Sequence, residues 1–111
     1  MAYDEDLADR IREQLGTRRG VVEKKMFGGL AFLVRGHMAV AASGQGGLLV
    51  RADPARTAAL TRGGAATVMV MRGREMPGWL RVDAEHVRTT RQLARWVRVA
   101  TDYVDTLPAK R

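Results

Sequence analysis

The chain has no cysteine among its 111 residues. That excludes disulfide scaffolds, thiolate metal sites and cysteine nucleophiles, and it makes a reducing, cytoplasmic setting the expectation. Serine occurs once, at Ser43, in a turn-like stretch without the strand-to-helix elbow that presents a hydrolase nucleophile. Histidine occurs twice, at His37 and His86, and neither has partners at metal-ligand spacing. No catalytic constellation is therefore expected, and no cofactor or metal. There is no apolar run long enough to span a bilayer, and the acidic start MAYDEDLADR does not read as a signal peptide. A membrane role is not expected. Aromatics are only 5% of the chain, which leaves few side chains for stacking nucleic-acid bases.

What is present is an ordinary core and an uneven charge. Hydrophobic residues make up 46%, enough to fill one core, so one domain over residues 1–111 is expected, with its packed part at about residues 3–107. The formal net charge is +7. Residues 1–55 carry eight Lys/Arg against seven Asp/Glu, whereas residues 56–111 carry eleven against five. The basic excess belongs to the second half, and sixteen of the nineteen basic residues are arginine.

Hydrophobic spacing places the elements. Tyr3, Leu7, Ile11 and Leu15 recur every four residues, which predicts a helix from Tyr3 to Leu15, stopped by Gly16 and Gly20. LAFLV, HMAVAAS and LLVRA, separated by RG and GQGG, read as a three-stranded antiparallel meander, with Val21–Met26 as an extended lead-in or part of the first strand. Asp53-Pro54 pairs an N-cap with a proline at the first helical position, predicting a short helix to about Thr61. TVMVM and WLRV form a hairpin over residues 67–82, with RGREMPG as its loop. Asp83 is then expected to cap a last helix whose apolar face runs through Leu93, Trp96, Val97, Ala100 and Val104 to Pro108. The fold class is α+β, in the order α-β(3)-α-β(2)-α, with helices packed on an antiparallel sheet.

Gly28-Gly29 resembles a phosphate loop only superficially. Such loops lie between a strand and a helix, whereas this pair leads into LAFLV. A bulge or a close backbone approach is the reading here. Arg88, Arg91, Arg95 and Arg98 are spaced to share one face of the last helix, with Arg81 just upstream. That stripe is either a basic interaction face for phosphates or an acidic partner, or a solvated face partly neutralised by an Arg98–Asp102 pair. The methionines, Met76 among them, read mainly as core filler, and some as an adaptable apolar surface where two copies or a partner meet. Trp79 reads as a core or interface anchor.

Four stretches in order, KKMFGGLAFLVRGHMAV, GLLVRAD, REMPGWLRV and LARWVRVATDYVDTLPAK, resemble the N-terminal domain family of the TfoX/Sxy competence regulators. Met26, Phe27, Gly28 and Gly29 match its opening motif, and Gly36, Arg51, Met76, Gly78, Trp79, Val82 and Trp96 fall where the family places such residues. The resemblance implies a fold similar to secretion-chaperone-like domains and a non-enzymatic role linked to transcriptional control of competence. It supplies no catalytic residues. With the second domain of the best-known members absent from the sequence, a stand-alone regulatory or protein-interaction domain is expected. A protein partner, including a second copy as a homodimer, is the leading expectation. Direct nucleic-acid binding through Arg81, Arg88, Arg91, Arg95 and Arg98 is the alternative.

Overall fold

The computed structural model of the protein describes residues 3–26 and 28–109. Helix α1 (Glu5–Leu15) is capped by Asp4, whose carboxylate accepts from the Leu7 amide, and Glu5 and Asp6 sit at its positive end. Four strands follow: β1 (Val21–Met26), β2 (Gly29–Val34), β3 (His37–Ala42) and β4 (Leu48–Arg51). Asp53 caps a 3-10 turn begun by Pro54, which continues into α2 (Thr57–Thr61). Strands β5 (Ala66–Met71) and β6 (Arg74–Val82) and helix α3 (Thr90–Val104) complete the chain. The strands lie in the order β1-β2-β3-β4-β6-β5, and every neighbouring pair is antiparallel.

The α+β class stands, with three local corrections. Val21–Met26, expected as an extended lead-in or part of the first strand, is a strand of its own, because all six of its residues pair antiparallel with β2. The RGREMPG segment is not a loop. Arg72 and Gly73 have φ of 54° and 76°, and Arg35 and Gly36 have 53° and 88°. Each RG pair supplies the two positive φ values of a two-residue hairpin turn, so the strand resumes at Arg74. Finally, Asp83 makes no side-chain cap and precedes only a 3-10 turn, Ala84–His86. Helix α3 starts at Thr90, behind a capping box in which the Thr89 hydroxyl accepts from the Gln92 amide and the Gln92 side chain accepts from the Thr89 amide.

Helices α1 and α3 pack on one face of the sheet. Leu7, Ile11 and Leu15 from α1 and Leu93, Trp96, Ala100 and Val104 from α3 meet Phe32, Val34, Val40, Leu48, Val50, Leu80 and Val82 in the main core. Trp96 and Phe32 are the largest side chains enclosed there, which makes α3 the principal lid. Its C-terminus is held from a distance. The Arg35 guanidinium, carried by the β2–β3 turn, donates to the carbonyls of Val104 (3.0 Å), Asp105 and Leu107, and His37 Nε2 lies 2.7 Å from the Pro108 carbonyl. These bonds satisfy carbonyls that the helix end leaves open.

Candidate interaction surfaces

The side chains on the other face of the sheet make a second, smaller apolar cluster of Ala31, Met38, Ala41 and Leu49. Among the described residues, none from a helix belongs to it, and side chains of the sheet itself, Met26, Leu33, Met69 and Trp79, shield it. At its β5–β6 end, Met38, Leu49, Met69, Met71, Met76 and Trp79 enclose a recess of about 210 Å³. Strand alternation puts them there, since residues two apart share a face. A register break shapes the recess. Val68 pairs with Leu80 and Val70 with Glu75, so one residue of β5 opposes four of β6, Met76 to Trp79. Pro77 lacks a ladder donor, and the buried Gly78 turns its amide to the Thr57 hydroxyl (2.9 Å) and its carbonyl to the Ala52 amide (2.6 Å). Most of the methionines read as core filler therefore line an open sheet face.

The arginine stripe comes apart in three dimensions. Arg91, Arg95 and Arg98 remain together on α3 and are exposed. Arg88 precedes the helix and lies beside Arg10, whose guanidinium donates to the Val87 and Arg88 carbonyls at 2.8 and 2.9 Å. Arg81 pairs with Leu49 in the sheet and so faces away from α3. Its guanidinium donates to the Gly46 carbonyl (3.2 Å) and the Ser43 hydroxyl (3.4 Å), holding the β3–β4 turn. The residue that joins the helix stripe instead is Arg56, from the turn before α2. Arg56, Arg91, Arg95 and Arg98 line a groove of about 400 Å³ that also holds Asp102. The expected Arg98–Asp102 pair does not form among the described residues, and Asp105 is taken by Arg18, just past α1. Sequence spacing along one helix contains no information about Arg56, which arrives from another element.

The remaining singled-out residues are mostly architectural. Met26 ends β1 opposite Gly29, half-buried against the open-face cluster. Phe27 lies outside the described residues. Gly28, at φ 75°, occupies the turn between β1 and β2. Gly29 is a close approach: a Cβ there would lie 2.1 Å from the Ala42 carbonyl oxygen. Gly36 completes the Arg35 turn. Trp96 is enclosed in the main core. Trp79 is half-buried, with the Arg51 guanidinium 5.0 Å from its ring centroid and also 5.6 Å from that of Tyr103. Arg35 did not stand out in the sequence, because its partners are carbonyls supplied by a distant element. Arg51 belonged to the family resemblance, but the rings it meets come from elements far along the chain.

Electrostatic coupling is concentrated at β1. Arg12 of α1 reaches Glu23 through two bonds of 2.6 and 2.7 Å and Asp9 through one of 2.5 Å. The hydrogen bond from Arg12 holds the Glu23 carboxyl below the usual carboxylate range, and the same bond raises the Arg12 guanidinium further.

A sheet with helices on one face and a methionine-lined apolar recess on the other defines a small α+β domain of a particular build. The chain belongs to the TfoX N-terminal domain family, whose model matches residues 13–103. No curated protein and no solved structure gives a significant match.

Proposed function

We propose that this chain is a regulatory domain of the competence-regulator kind, acting without a catalytic step by holding a protein partner against the open face of its sheet. The recess bounded by Met38, Met69, Met71, Met76 and Trp79 carries this reading. It is apolar throughout and built from unbranched, polarizable side chains that repack around different partners. Family membership supports the regulatory role. The test is capture of partners from the native host by wild type and by Met76→Asp. Met76 is half-buried at the recess, so its substitution spares the main core. Loss of a specific co-purifying protein in Met76→Asp, with that protein retained by Arg95→Glu, is the expected result. An identical set of captured proteins for both variants and wild type refutes the reading.

The convergence of Arg56 with Arg91, Arg95 and Arg98 favours a second reading, direct binding of nucleic-acid phosphates in that groove. With about four phosphate contacts, affinity falls roughly a hundredfold between about 50 and 200 mM salt. Reversal of Arg95 and Arg98 to Glu abolishes such binding, whereas reversal of Arg81, on the opposite face, leaves it unchanged. No binding to duplex DNA or RNA at low salt ends this reading.

A further inference from the structure

We infer that the chain forms a closed homodimer by pairing β5 with β5 of a second copy, extending the sheet across a two-fold axis. The inference deepens the protein-binding reading by naming the partner at this edge as another copy of the chain.

Strand β5 is the last in the sheet, so one row of its peptide groups faces no strand. Among the described residues, no loop backbone hydrogen bond reaches Ala66–Met71. From Gly63 to Met71 the chain carries no charged side chain. Val70 is 62% exposed and Met71 40%. Proteins usually protect such an edge with lysine, proline or a bulge. Here the proline and the extra residues of the bulge fall on β6, the inner neighbour, and leave β5 bare.

A second copy fits this edge because antiparallel pairing about a two-fold axis is self-complementary: each strand offers the other its own row of donors and acceptors. The opposite edge explains why association stops at two. Strand β1 presents exposed Glu23, Lys24 and Lys25, with Glu23 bound to Arg12. Head-to-tail pairing of β5 with that edge would set a neutral strand against paired and unpaired charges, and it would propagate without closing. Two-fold pairing of β5 avoids both. Because the axis stands perpendicular to the sheet, it also brings Met69 and Met71 of both copies to the same side and joins the two recesses into one apolar surface.

The test is the mass of the whole chain in solution, by sedimentation equilibrium or light scattering. Wild type is expected to be a dimer that dissociates in the micromolar range. Val70→Lys should raise the dissociation constant at least about tenfold, and Val22→Lys, on β1, should leave it unchanged. A wild type that stays monomeric at about 100 µM, or a dimer indifferent to Val70→Lys, overturns the inference. Should Val70→Lys not fold, single cysteines decide, since the chain has none of its own. Thr67→Cys, Met69→Cys and Val70→Cys are each oxidised mildly, and at least one should cross-link rapidly while Val22→Cys does not. No cross-link at any β5 position counts against the dimer. A monomer that still loses its host partner on Met76→Asp sinks the edge dimer alone; a dimer whose captured proteins ignore Met76→Asp sinks the recess reading alone.

Discussion

The two edges of this sheet are made of similar lengths of chain with opposite chemistry. Strand β1, VVEKKM, places three charged residues in its centre and is tied to α1 through Arg12 and Glu23. Strand β5, ATVMVM, has no charge and no such tie. Each has one valine prominently exposed, Val22 at 59% and Val70 at 62%, so exposure of an apolar side chain does not distinguish them. What differs is the cost of bringing another strand alongside. At β1 the newcomer must desolvate or displace charges, and at β5 it meets only unpaired peptide groups and apolar side chains. An edge is defined as a binding surface by its neighbours in sequence as much as by its place in the sheet.

The hairpin that carries β1 offers the largest effect. Gly29→Ala forces a Cβ against the Ala42 carbonyl oxygen at 2.1 Å, and backbone on both sides must move. A loss of about 3 kcal/mol or more is expected in chemical unfolding. Gly28→Ala, with nothing within 4 Å of the added Cβ, should cost only about 1 kcal/mol for its left-handed conformation. Equal losses for the two would show that the close approach is not what holds this edge.

Removing the protection of β1 tests the comparison directly. A triple variant, Glu23→Val with Lys24→Thr and Lys25→Val, makes both edges bare. Concentration-dependent association beyond the dimer is expected in light scattering, because head-to-tail pairing then has no charged barrier. A triple variant with the association behaviour of wild type would show that those charges do not guard the edge.

Arg12→Ala is a smaller perturbation. Arg12 and Glu23 are both well exposed, so the pair contributes modestly, and about 1 kcal/mol is expected once lost stem packing is included. Its pH dependence has a definite sign. The Glu23 carboxyl is held below the usual carboxylate range by Arg12. The stability it confers is therefore present above the unfolded-state carboxylate pKa of about 4.3 and lost as pH falls through the lower folded value. Thermal melts of wild type and Arg12→Ala should differ at neutral pH and converge towards about pH 3. A constant difference across that range would assign the effect to packing alone.

Much of this architecture was legible in the chain because it rests on local periodicity. The four-residue recurrence from Tyr3 to Leu15 and the apolar face from Leu93 to Val104 specify α1 and α3, and Asp53-Pro54 marks the start of a helical segment. Asp83 misplaces the start of α3, although Thr89 followed three residues later by Gln92 carries the capping-box signal of its true start. Arg35-Gly36 reads as a turn in the sequence, whereas the same dipeptide at Arg72-Gly73 reads as part of a longer loop, because Pro77 and Gly78 obscure the strand that resumes at Arg74. The charged composition of β1 left open whether Val21–Met26 is a strand of its own, because an edge strand has little to bury and shows no alternation.

By itself, then, the sequence determined most of the elements, their order, and the family motif around Gly28-Gly29. These follow from side-chain periods and turn chemistry acting over a few residues. Only the tertiary structure decided which surfaces those elements share. It sent Arg81 to one face and Arg91, Arg95 and Arg98 to the other, brought Arg56 beside them, and left Met38, Met69, Met71, Met76 and Trp79 around one open recess. It also decided that β5, rather than a strand closer in the chain to β1, ends the sheet. Strand order and the meeting of distant side chains are fixed by long-range pairing and burial, which no local pattern encodes.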